Sequence, residues 1–131
     1  MVSAHTTAAP IDHLALYKQF LDAEDDRSGT VVLHHGRVKR PGKQVPAFSQ
    51  VRLSTLVDDP DAALQRLARD TQAQFGLHQV LLVHRLGTIG ARDTVLLAIV
   101  SSATRDLSFD ACRHLVDVVK REEFIALVEL P

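Results

Sequence analysis

The sequence predicts an α+β domain, a β-α-β-β-α-β core preceded by one helix and one extra strand. Three observations predict it. Apolar residues recur at helical spacing in two stretches, near 59–75 and 104–120, while four β-branched or apolar runs of strand length lie around them. Gly, Pro and Asp stand at the joints between these stretches. The chain has 131 residues, of which 46% are hydrophobic and 24% charged; that is one globular domain, able to bury roughly two thirds of its unfolded surface in a single core.

Residues 1–9 are small and polar and read as a frayed end. Pro10 opens the first helix, whose predicted stripe is Ile11, Leu14, Ala15, Lys18 and Leu21, widened by Tyr17 and Phe20. Glu24, Asp25 and Asp26 oppose the helix dipole at its end, and Ser28 and Gly29 break it. Thr30 to Lys39 reads as the extra strand, with Arg37 and Lys39 on one face by the period of two. Pro41 and Gly42 turn the chain into a second strand over 45–55.

The second helix is capped by Asp58 or Asp59, carries Pro60 just inside, and stops at Gly76. Its buried stripe is Ala63, Leu64, Leu67, Ala68, Thr71 and Phe75; Gln65, Arg66, Arg69 and Gln72 read as a solvated face. Two strands follow, at 78–85 and 93–101, joined through LGTIGA. The second of these is almost wholly apolar, which places it centrally with both faces covered. Thr104 caps the last helix, and Leu107, Ala111, Cys112, Leu115, Val116 and Val119 face its core. FIALVELP closes the chain as a final strand. From residue 45 onward this is the split βαβ order of ferredoxin-like cores.

The net charge of −1 gives the whole molecule no pull on nucleic acid or anionic lipid. Any anion site is therefore local. One stretch qualifies: between Arg27 and Asp58 no acidic residue occurs, while Arg37, Lys39, Arg40, Lys43 and Arg52 add five positive charges. On charge alone this is either a solvated hairpin with charges guarding an edge or an anion site. Nucleic acid is disfavoured because no aromatic residues interleave with the cations. The single Cys112 excludes an internal disulfide and fits a reducing, cytoplasmic compartment. No run approaches the roughly 20 apolar residues that span a bilayer, and the first residues lack the pattern of a secretory leader. His34 and His35, being adjacent on a strand, face opposite ways, so a metal site there has no supporting spacing and none is expected.

Four features resemble the large, catalytic (MoaE-like) subunit of molybdopterin synthase: GTVVLHHGRVKR at 29–40, FGLHQVLLVHRLGTIGARDTVLLAIVSSATR at 75–105, SFDACRHLVDVVK at 108–120, and the order and spacing of the three. They are similar to the family's Gly-x-Val-Arg strand end, its His-Arg-x-Gly turn with Ser-Ala-His-Arg at a helix entry, and its helix closing on Asp-x-x-Lys. The resemblance implies an α/β hammerhead-type fold and an enzyme without a cofactor of its own. That enzyme moves sulfur from the thiocarboxylated tail of a small ubiquitin-like (MoaD-like) carrier subunit to cyclic pyranopterin monophosphate, forming molybdopterin for molybdenum cofactor biosynthesis. It implies Arg37, Lys39, Thr104 and Arg105 as substrate-binding residues and Lys120 as catalytic. It also implies a homodimer, completed by the carrier as a heterotetramer, with neither nucleic acid nor membrane as partner. Lys39 stands where the family has Arg, Thr104 where it has His, and Leu127 where it has a second lysine. These departures carry an alternative: a catalytically impaired paralogue that binds or scaffolds as a dimer.

The residue types suit a phosphorylated ligand independently of the resemblance. Charge-assisted hydrogen bonds from guanidinium and ammonium groups are strong, and Arg105 at a helix N-terminus joins its charge to free backbone N–H groups. Lys120 has the plain alternative of a cation well placed at a helix C-terminus. Arg105 and Lys120 lie 15 residues apart on one helix, roughly 22 Å at 1.5 Å per residue. One small ligand cannot touch both within one chain, so a site using both must draw on two copies.

Overall fold

The computed structural model describes residues 1–121 and 123–131. Its elements are β1 (Val2–Thr7), α1 (His13–Asp22), β2 (Thr30–Arg37), β3 (Gln50–Thr55), α2 (Pro60–Phe75), β4 (Gln79–Arg85), β5 (Gly87–Ile89), β6 (Thr94–Ser102), α3 (Arg105–Lys120) and β7 (Ile125–Leu130). The α+β class is borne out, with the helices and the main strands in the expected order. The strands divide into two sheets, ordered β1-β4-β6-β2 and β5-β3-β7. α2 and α3 pack on one face of the larger sheet through Leu64, Ala68, Val80, Leu82, Val100 and Leu115; α1 covers the other through Ile11, Phe20, Leu81, Val83, Leu97 and Ile99. β6 is central as its composition demands, buried from Leu96 to Ser102 between β4 and β2. A third cluster, with Phe48, Val51, Leu53, Ile89 and Ile125, fills the smaller sheet and meets the α2/α3 core at Val95 and Phe124.

The caps explain where the helices begin. Thr104 accepts from Leu107 N at 3.3 Å and Asp59 from Ala62 N at 3.0 Å, with Pro60 in the first turn. Gly76 ends α2 in the left-handed region at φ +64°, a backbone shape that glycine adopts without strain.

The N-terminal part differs from the sequence expectation. Residues 2–7 are not frayed; β1 pairs parallel with β4 from Val2↔Val80 to Thr7↔Arg85. Its outer edge is closed by α2, since Gln65 accepts from Ala4 N (2.9 Å) and donates to Val2 O (3.2 Å), while Asp61 accepts from Thr6 N (2.7 Å). Gln65 is thus a substitute strand partner rather than part of a solvated face. α1 starts three residues later than read, because Asp12 supplies the N-cap (Ala15 N to Oδ1, 3.1 Å). Its buried side is Phe20 with Leu16 and Tyr17, whereas Leu14 is 70% exposed. A helix of that length carrying apolar residues on several sides has more than one plausible stripe, and docking selected among them.

Candidate functional site

β2 ends at Arg37 and not at Lys39, with a register break between Gly36 and Arg37: Gly36 pairs with Leu96 and Arg37 with Thr94. A bulge of this kind bends a strand and re-aims the side chain beyond it. Arg37 and the following Lys39 enter the wall of an open cleft of ≈ 390 Å³ at the junction of the two sheets. Lys120, in the last turn of α3, lines the same cleft, together with Val38, Phe48, Val51, Val95 and Leu127. Three of the five residues singled out from the sequence therefore meet in one concavity. Thr104 and Arg105 do not join them; they sit at the far end of α3, where the Thr104 hydroxyl caps the helix.

Of the other cations of the basic stretch, Lys43 also lines the cleft, whereas Arg40 has a different role. Arg40 donates to Phe48 O (2.8 Å) and Ser49 O (3.2 Å) and lies 4.9 Å over the Phe48 ring, pinning the 41–49 loop. Arg37 is steadied by donation to Arg92 O at 3.2 Å.

The loop is tied down by a residue that the sequence reading passed over. Glu129 on β7 accepts from three successive backbone N–H groups, Lys43 (3.0 Å), Gln44 (2.7 Å) and Val45 (2.7 Å). Gln44 completes the tie, donating to Leu127 O and accepting from Glu129 N. These bonds, that of Val45 foremost, hold the Glu129 carboxyl below its ordinary pKa, with Lys39 adding to the effect. Gly42 runs against the carboxylate so closely that no Cβ fits there. The strap keeps Lys39 and Lys43 on the rim of the cleft. Its only sequence signal was a single acid in an otherwise apolar terminal strand.

His34 and His35 face opposite sides of β2. His35 stacks on His13 at 4.2 Å and meets Thr94 Oγ1 at 2.6 Å. His34 lies on the α3 side, its Nε2 buried without a partner and 3.1 Å from where a Cβ on Gly36 would stand. Burial, and then the nearby Lys120 charge, lower the pKa of His34. Among the described residues no group of three His, Cys, Asp or Glu side chains is arranged to hold a metal. Cys112 is buried, and desolvation pushes its thiol up to about 11.

Fold and cleft together define a two-sheet α+β protein with a cationic concavity suited to a small anion-bearing ligand. A model of the MoaE protein family matches residues 6–122, and the chain belongs to that family. Among curated relatives, the molybdopterin synthase catalytic subunit of Caulobacter vibrioides is 33% identical over 60 residues, 46% of this chain and 40% of that protein. The same subunit of Yersinia pestis is 26% identical over 95 residues, 72% of this chain and 62% of that protein. The matched region thus spans about two fifths to three fifths of these two relatives. A molybdopterin synthase structure from Staphylococcus aureus superposes with a TM-score of 0.82 at 21% identity, covering 97% of this chain and 90% of that one. A complex of subunits 1 and 2 of molybdopterin-converting factor from Helicobacter pylori gives a TM-score of 0.75 at 13% identity, covering 98% and 83%. At these identities both likenesses speak for the fold.

Proposed function

We propose that this chain is the large subunit of a molybdopterin synthase in molybdenum cofactor biosynthesis. It takes sulfur from the thiocarboxylated C-terminus of a small carrier subunit and passes it to cyclic pyranopterin monophosphate. The observation that carries this reading is the convergence of Arg37, Lys39 and Lys120 on one cleft from β2, the loop after it and α3. Two of these cations suffice to hold a cyclic phosphate through charge-assisted hydrogen bonds. Lys120 is the group for the acyl carbon: once the thiocarboxylate sulfur has bonded to the precursor as an acyl thioester, its ammonium polarises the carbonyl while water attacks the acyl carbon, and the C–S bond breaks to leave the sulfur on the precursor and a carboxylate on the carrier.

Thr104 and Arg105 join the site in this reading only from a second copy. The two edges of the larger sheet support that arrangement. β1 is capped by Gln65 and Asp61, whereas among the described residues β2 receives one side-chain cap, from Ser108 Oγ to Thr30 O (3.0 Å). Phe109, 58% exposed, stands beside the β2 edge in a groove with Val32, His34 and Val116. Antiparallel pairing of two β2 edges across a two-fold axis sets the Thr30 end of one copy, and with it Arg105, against the Arg37 end of the other.

Leu127 and Thr104 favour a second reading, a paralogue that binds without turnover. Reconstitution with thiocarboxylated carrier and precursor decides between them. Product that disappears in Lys120→Ala supports the enzyme; retained binding without product from the unaltered chain supports the paralogue.

A further inference from the structure

Beneath the cleft lies a smaller apolar annex of ≈ 120 Å³. Val95, Lys120 and Leu127 line both spaces, so Lys120 stands at the doorway between them. The annex has one polar side chain besides Lys120, that of His84, which is 7% exposed and placed on β4 opposite Leu96. His84 Nδ1 lies 2.8 Å from Arg85 O. A carbonyl oxygen only accepts, so Nδ1 carries the hydrogen and the Nε2 of the neutral ring is an acceptor. No described residue bonds that Nε2. The annex is the space onto which the ring opens. An acceptor with a fixed tautomer thus faces an apolar chamber whose doorway holds a lysine on a flexible stem.

We propose that His84 is the positioning residue for Lys120: the ammonium turns from the cleft into the mouth of the annex and donates a hydrogen bond to His84 Nε2. This rests on the reading of Lys120 as the reacting lysine and adds to it the group that seats it. The seat holds the ammonium at the floor of the cleft while Leu127, Val95 and Val119 shelter the stem. His84 accepts only while neutral. Burial keeps it so, lowering its pKa below 6.5 against a smaller opposing effect of the Arg85 carbonyl. The titratable group facing it from α3 is Lys120; the annex residues from β3, β6 and β7 are Leu53, Val95, Leu96, Ile125 and Leu127, none of which titrates. His34 on β2 is the imidazole whose pKa the Lys120 charge lowers, and so the competing partner that the test must separate from His84.

The test reads Lys120 directly. The chain has four lysines, 18, 39, 43 and 120; after reductive ¹³C-methylation each gives an NMR signal, and Lys120→Arg identifies the fourth. In the unaltered protein, titrated from about pH 8 to 5 across the imidazole range, the Lys120 signal shows a second inflection below pH 6.5 as His84 protonates and releases the ammonium. The inflection persists in His34→Phe and is lost in His84→Leu. His84→Gln keeps an acceptor near the Nε2 position without titrating, so the Lys120 signal stays near its neutral-pH position and has no inflection; this variant also serves if His84→Leu fails to fold. A Lys120 titration in His84→Gln identical to that of the unaltered protein, or an inflection abolished by His34→Phe instead, overturns the proposal. Neither carrier nor precursor enters the measurement. Coupling without product in the reconstituted assay leaves the seat standing and removes the synthase reading; product without coupling does the reverse.

Discussion

The two ends of α3 carry the same kind of residue and do different things. At the N-terminal end Thr104 caps the helix and Arg105 stands beside it, and the helix dipole favours an anion there. Neither lines the cleft, its annex or the groove beside β2. Instead Ser108 Oγ lies 2.6 Å from Ser102 Oγ and donates to Thr30 O, binding the helix start to β6 and the β2 edge. At the C-terminal end the dipole, worth about half a negative charge, opposes an anion. Yet Lys120, Arg37 and Lys39 converge there on a cleft walled by both sheets. Three full charges outweigh half of one, and a concavity gathers them around one ligand where a flat helix end does not. Within one chain, shape and side-chain charge separate the two ends; under the proposed function a second copy lets the other end contribute.

The sharpest way to break this contrast is at Lys120. Lys120→Ala lowers product formation by at least ~100-fold, the range expected on losing a positioned polarising or proton-transferring group, measured in the reconstituted assay with unchanged circular dichroism. Next comes a mixing experiment. Lys120→Ala and Arg105→Ala chains, each inactive, recover about a quarter of the unaltered activity when unfolded and refolded together, because random two-fold pairing leaves one intact site in each mixed dimer. Failure to recover removes Arg105 from the site.

Smaller effects separate the two ends by stability. Thr104→Ala lowers stability by about 1 kcal/mol through the lost cap, seen as a fall in Tm, and leaves the neutral-pH NMR signals of the methylated cleft lysines in place. Glu129→Ala acts at the other end: hydrogen exchange at the amides of Lys43, Gln44 and Val45 accelerates, while exchange in the α3 interior does not. Because the Glu129 carboxyl is held below its ordinary pKa of 4.5, the strap is fully formed above that value. It loosens as pH falls through the lowered pKa, so exchange at these three amides, normalised to intrinsic rates, rises in that acid window.

The order of the main elements, the two caps on α2 and α3 and the central place of β6 were legible because each rests on local chemistry or a short period; Arg37, Lys39 and Lys120 became candidates through the family resemblance, with Arg37 and Lys39 marked also by the basic stretch. β1 was not legible. A parallel strand takes its partners from 78 residues away, at Val80 for Val2, and its edge caps from α2; nothing within residues 2–7 announces either. The stripe of α1 was misread for a related reason, since Leu14 and Leu21 are apolar and yet exposed at 70% and 43%. Glu129 and Gln44 escaped notice, and His84 was read only as part of the His-Arg-x-Gly turn, because the surroundings of each come from residues distant along the chain.

The amino-acid order by itself therefore determined which of the main segments after β1 become helix or strand, where α2 and α3 start, and which cations are available, since propensity, periodicity and caps act over a few residues. Tertiary structure alone decided that the β2–β6 register breaks at Gly36/Arg37, that Glu129 ties down the basic loop, and that Lys120 shares a cleft with Arg37. Those outcomes depend on how two sheets and three helices close on one another, a geometry set by the packing of the whole core rather than by any neighbouring residues.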